Sequence, residues 1–195
     1  MKKLMMAILI SALCLSVACY PKQEEKTNKM TTVSFDINEE FIDDTKNGSF
    51  EIIEPLWRSV DICSDEQKYE SDLSKFTLEQ RYVFAISSYI AEVNNGGHDQ
   101  FYFNSTGIVT EDALKGFKAI GLNENYSILK KSIERLGGMP LKDRYKRQKQ
   151  LEKSEANFDD LNTAFYNTNP EIELMKYIKA NKDKFYFKGD VTIPE

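Results

Sequence analysis

Apolar residues recur along this chain at intervals of three and four, the spacing that lines one side of an α-helix. Ile37, Phe41 and Ile42 open the series, and Gly48 closes that piece. Phe50, Ile53, Leu56, Trp57 and Val60 form a second stripe, weakened or restarted near Glu54 by Pro55, which lacks an amide donor. Thr77-Leu78-Glu79-Gln80 has the form of a capping box, in which the first and fourth side chains each accept from a free backbone N–H. From there Leu78, Tyr82, Ala85, Ile86, Tyr89, Ile90 and Val93 share a broad face and predict the central core helix, stopped by Asn94-Asn95-Gly96-Gly97.

Thr110-Glu111-Asp112 starts another helix with a cap and two acids at the positive dipole end, and Gly121 stops it. Tyr126, Leu129, Ile133 and Leu136 follow, closed by Gly137-Gly138. Pro140 sits near the start of a charged helix, and Pro170 in the first turn of the last one, where Ile172, Met175, Tyr177 and Ile178 supply apolar contacts. Strand alternation is confined to residues 31–35 and 191–193, and no fixed-period repeat is visible. The expectation is an all-α fold, a single irregular helical bundle of about seven to nine helices.

The N-terminus adds an address. Met1-Lys2-Lys3 precedes an apolar run over residues 4–18, a secretory leader pattern too short for a comfortable permanent span. Ser16-Val17-Ala18-Cys19 at its end, followed by polar residues, resembles a bacterial lipobox. It predicts a signal peptide at residues 1–18, lipidation of Cys19, a flexible tether over residues 19–34 and a domain over residues 35–195. The protein is therefore expected to be exported, as a cell membrane or outer membrane lipoprotein held by its lipid anchor. Loss of Cys14 with the leader and lipidation of Cys19 leave no intrachain disulfide, and Cys63, in an apolar run, is expected to be buried.

Charge narrows the partners. Removing the leader takes away Lys2 and Lys3 and moves the net charge from −5 to −7, which disfavours direct nucleic acid binding. Acids cluster at Asp36, Glu39, Glu40, Asp43, Asp44, Glu51 and Glu54, and again at Glu152, Glu155, Asp159 and Asp160. Lys142, Arg144, Lys146, Arg147 and Lys149 make an opposing basic segment.

The most distinctive run holds Asn95, Gly96, Gly97, His98, Gln100 and Asn104, interleaved with Phe101, Tyr102 and Phe103. If it is helical after Gly97, Gln100 and Asn104 fall on one face, where their amides could read a peptide backbone or satisfy backbone groups freed by the tight corner. His98 beside Asp99 could suggest acid-base or metal chemistry, but one histidine without a spaced ligand set is weak for zinc. It is expected at the surface at a helix start. No Ser-His-Asp, HExxH or phosphate-loop pattern appears, so no catalytic residue, metal or cofactor is expected.

Asn95-Gly96-Gly97, Gln100 and Asn104-Ser105-Thr106-Gly107, followed by residues 113–121, resemble a bacterial helical domain family named after a DNA-mimic protein; Met175-Lys176-Tyr177-Ile178 with Lys184-Phe185 resembles its closing helix. The resemblance covers about residues 78–185. It implies a larger apolar or aromatic residue at position 98, from which His98 departs, and an acidic helical surface that captures a DNA-binding protein. The basic segment and the expected export both argue against that capture for this chain. The functional expectation is a non-enzymatic, envelope-tethered module that binds an envelope protein through its acidic surface or the residue 95–104 corner. A toxin-neutralising immunity-type inhibitor, a DNA mimic and an envelope hydrolase are the alternatives, and a second copy of the chain is a candidate partner.

Overall fold

A computed structural model describes residues 30–44 and 46–194. The leader, Cys19 and residues 19–29 of the tether lie outside the described residues. Strand β1 (Met30–Ile37) is followed by helices α1 (Glu39–Asp43), α2 (Ser49–Ile52), α3 (Glu54–Ser59), α4 (Glu66–Leu73) and α5 (Leu78–Phe103). A 3-10 turn (Ser105–Val109) leads into α6 (Thr110–Ile120), α7 (Asn123–Arg135), α8 (Arg144–Ser154), α9 (Asp159–Tyr166) and α10 (Pro170–Ala180); a second 3-10 turn and strand β2 (Phe187–Pro194) end the chain. The fold is an irregular helical bundle with a small two-stranded ribbon. The described residues hold ten α-helices, of which α1 to α3 are very short.

Both expected strand segments are present, and they pair with each other. β1 and β2 run antiparallel with Thr31 opposite Ile193, Val33 opposite Val191 and Ile37 opposite Phe187. Met30 to Ser34, assigned to the tether by their polarity, therefore already belong to this ribbon. Burial alternates along β1, as one covered face requires. Phe187 carries that face into the bundle, stacked on Phe76 at 5.9 Å and edge-on to Phe35 at 6.5 Å.

α5 is the central element, and the expected capping box starts it. The Gln80 N–H donates to Thr77 Oγ1 at 3.1 Å while the Thr77 N–H donates to Gln80 Oε1 at 3.0 Å. Val83, Phe84, Ala85, Ile86, Ser87, Ser88 and Tyr89 are all buried, so neighbours cover this helix on nearly every side. A single-face reading therefore misplaces Leu78, which is exposed at the helix start. Tyr89 stands at the middle of the core, edge-on to Phe101, Phe117 and Phe165 at 5.0 to 5.6 Å.

The basic segment divides between surface and interior. Arg147, in the first turn of α8, is fully buried, and no carboxylate pairs with it. Its Nε donates to Tyr102 O (2.9 Å), Nη1 to Leu141 O (2.7 Å) and Lys142 O (2.9 Å), and Nη2 to Asn104 O (2.7 Å) and Ser105 O (3.4 Å). Those contacts use the full donor set of a guanidinium. Three of the carbonyls belong to the end of α5 and the turn beyond it, where the helix dipole is negative. Gly107 makes the room, since a Cβ there would lie 2.4 Å from Arg147 Nε. Burial pushes the Arg147 pKa down to about 10, still charged at neutral pH.

Replacing Arg147 with Leu takes this donor from Tyr102 O, Leu141 O and Lys142 O, at about 1–3 kcal/mol for each group that water cannot reach, while Asn104 O keeps the Gly107 N–H at 3.2 Å. Urea unfolding of Arg147→Leu is expected to show a loss of at least about 3 kcal/mol, with Arg147→Lys recovering little because one ammonium cannot span the same set.

Candidate functional site

Gly96-Gly97 does not end α5 but breaks it. Gly96 (φ −156°, ψ 24°) and Gly97 (φ 73°, ψ −173°) leave the helical region, and a second helical piece runs over residues 98–103. Gly97 is in the left-handed region, and a Cβ on it would lie 2.5 Å from Asn162 Nδ2. Asn162, reaching over from α9, caps the restarted helix: its Oδ1 accepts from the His98 N–H at 3.0 Å and meets His98 Nδ1 at 2.6 Å.

Because that amide oxygen can only accept, Nδ1 carries the imidazole proton and Nε2 accepts from the Tyr89 hydroxyl at 2.6 Å. His98 is at a helix start as expected, but it is buried rather than exposed, because the break turns position 98 inward among Tyr89, Phe158 and Tyr102. Its surroundings are those of the apolar or aromatic residue that the resemblance implies. Burial pushes its pKa down to about 4, so it is neutral with both nitrogens occupied.

Gln100 and Asn104 do share a face, and their amides meet a carboxylate rather than the backbone. Gln100 Nε2 and Asn104 Nδ2 donate to Glu92 Oε2 at 2.7 and 3.0 Å, and the Thr106 hydroxyl donates to Glu92 Oε1. Gly96 leaves room for this knot, since a Cβ there would lie 2.2 Å from Gln100 Oε1. Asn95 and Gly96 are exposed, whereas Gly97 is buried. The motif thus resolves into two separate polar knots, His98 with Asn162 and Tyr89, and Gln100 and Asn104 with Glu92.

Glu92 and Asn162 were missed as partners by the sequence reading. Glu92 did leave a signal, as the only acid between Glu79 and Asp99 in a mainly apolar stretch. Asn162 lies far along the chain with nothing to mark it. Among the described residues, no group of three or more His, Cys, Asp or Glu side chains is placed to hold a metal. Cys63 is exposed, contrary to the expected burial, because it follows α3 in a surface bend; it is also disulfide-bonded, and the chain's other two cysteines lie outside the described residues.

Six of the eleven carboxylates in the acidic blocks pair with cations among the described residues. Lys182 bridges Glu39 and Asp43 at 3.0 and 2.7 Å, Lys188 meets Asp36 at 2.7 Å, and Arg58 meets Glu54 at 2.8 Å. Arg135 grips Asp160 with two nitrogens, holding its pKa down to about 2, and Lys149 pairs with Glu152 at 2.8 Å. Asp112, read from sequence as a dipole-facing acid, is buried; it accepts from the Tyr69 hydroxyl at 2.7 Å and from Arg81 at 2.8 Å. Arg81 also grips Glu70 with two nitrogens, at 2.7 and 2.8 Å.

His98 ties stability to pH. The unfolded chain takes up its proton near pH 6.5 and the folded chain only near 4, so this contribution is complete above pH 6.5 and is lost as pH falls to 4. Its size is about 3 kcal/mol. Chemical unfolding across that window should show His98→Gln with a correspondingly flatter pH dependence than the parent. An unchanged slope would show that His98 titrates normally in the fold.

No curated protein matches the chain, and no solved structure does. The family model described as DMP19-like protein matches residues 74–181, from just before the α5 capping box to the end of α10, and so covers both polar knots and the Arg147 anchor. Spanning more than half of the sequence, that match makes the chain a member of the DMP19-like protein family.

Proposed function

We propose that this chain is a non-enzymatic protein-binding module of the cell envelope, exported by its leader and tethered by lipid on Cys19. Family membership supports a protein-binding role of the DNA-mimic type at the level of the family. The observation that carries the non-enzymatic reading is that the conspicuous groups of residues 95–104 are bonded inside the fold. Both His98 nitrogens are occupied, and the Gln100 and Asn104 amides are held by Glu92. Recognition then falls to the outer faces of the bundle.

Capture of a DNA-binding protein requires a phosphate-like row of unopposed carboxylates. The internal pairing of Asp36, Glu39, Asp43, Glu54, Glu152 and Asp160 weakens that version, and α8 adds cations. An immunity-type inhibitor is a narrower form of the same binding role. The disulfide at Cys63 and a mature form that has lost Cys14 and carries lipid on Cys19 exclude each other within one chain, so the anchor has a direct test.

A fatty-acid probe fed to producing cells should label the parent and not Cys19→Ser, and label persisting in the variant would remove the anchor. In affinity capture from envelope extract, Gln100→Ala with Asn104→Ala should retain the parent's specific partner while melting about 5–10 °C lower. Loss of the partner at unchanged melting temperature would restore the corner as the binding site. Turnover of a cell-wall substrate that one carboxylate substitution abolishes would overturn the non-enzymatic reading.

A further inference from the structure

Helix α8 is capped by Asp143, whose side chain accepts from the Lys146 N–H at 2.8 Å. Its first turn contains Arg144, Lys146 and Arg147 and no acid, at the end where the peptide dipoles already place positive charge. These cations oppose the dipole, and the Asp143 carboxylate offsets them. Arg147 is explained by its buried carbonyl contacts. Lys146 and Lys153 are exposed and form no ion pair among the described residues.

Beside these cations, between α8 and the end of α5, lies an open groove of ≈ 410 Å³. Phe103, Tyr145 and Leu151 supply its apolar lining, and Gln148, Lys149 and Glu152 its polar edge. Phe103 and Tyr145 are 52% and 69% exposed, high values for aromatic side chains. Cations already rest on both rings: the Arg144 guanidinium lies 5.9 Å from the Phe103 centroid, and the Lys149 ammonium lies 5.9 Å from that of Tyr145. Arg144 and Gln148 also donate to Phe103 O at 3.2 and 2.9 Å, which fixes the end of α5 against α8.

We propose that this groove docks an acidic segment of a protein partner, with one aromatic or aliphatic side chain seated between Phe103 and Tyr145. The segment's carboxylates meet Lys146 and, in place of its neighbour Glu152, Lys149. The assignment rests on the protein-binding reading above and names the partner's chemistry. An apolar recess with a cationic edge matches an extended or helical peptide that presents acids on either side of an anchor. A planar bilayer would need the apolar side chains to project beyond the cations, whereas here Arg144 and Lys149 lie over the rings.

Fluorescence anisotropy with the full chain tests this, using a short fluorescein-labelled peptide of Asp and Glu around a central Leu-Phe pair. Controls carry Ala in place of that pair, or Lys in place of the acids. The parent should bind the first peptide at least about tenfold more tightly than either control, and more weakly as salt rises. Tyr145→Ala, and Lys146→Glu with Lys149→Glu, should each lose about tenfold or more without a fall in melting temperature, because these side chains are exposed and an acid in the first turn suits the dipole. Equal binding by the variants, or no preference among the peptides, overturns the proposal. So does binding to anionic phospholipid vesicles, without peptide binding, that the double variant abolishes; it would assign the surface to the bilayer. If an envelope partner is captured equally by the parent and Tyr145→Ala, the groove is wrong while the protein-binding reading stands. If the peptide preference holds but the parent captures no envelope partner, it is the envelope reading that fails.

Discussion

A cation with no exposure and no ion-pair partner is an expensive thing to place in a protein, and the arrangement around Arg147 shows what offsets it. The guanidinium replaces its lost water with carbonyl oxygens from the end of α5, the turn that follows and the loop before α8. Asn104 O also accepts from the Gly107 N–H, while the carbonyls of Tyr102, Leu141 and Lys142 are met by the guanidinium. The end of α5 with the turn after it is thereby fixed to the start of α8, more than forty residues on, through one planar group. The groove between α5 and α8 owes its shape to that clamp, which sets where Phe103 lies relative to Tyr145.

Polar residues in unusual density invite a functional reading, and here they bond to one another inside the fold. A helix interrupted inside a core exposes backbone donors and acceptors that must be met. Asn162 meets one of them from another helix, and Glu92 gathers the side chains that follow the break. His98 completes the first knot by standing in an aromatic cluster as a neutral ring with a proton on a defined nitrogen.

Much of the architecture was legible because it depends on local rules. The Thr77–Gln80 box, the glycine break, the Pro170 helix start and both strand segments follow from backbone requirements that a few adjacent residues declare. The burial of His98 and Arg147 did not, because it depends on groups more than forty residues away in sequence, Asn162 in one case and the end of α5 in the other. A compact basic segment looks the same whether its middle residue points to solvent or into a ring of carbonyls. The acidic blocks misled in the opposite way, since Lys182 and Lys188, which pair with Asp36, Glu39 and Asp43 of the first, come from the far end of the chain.

The ribbon joins the two ends of the described chain. Met30 faces Pro194 at its outer tip, and the ladder runs inward from there to Ile37 and Phe187. A pull applied through both ends would load this ladder one rung at a time, as a zipper is opened, rather than shearing all its bonds together. The helices would feel little tension until the last rung parted, so the ribbon acts as a mechanical fuse between the bundle and whatever its ends are fastened to.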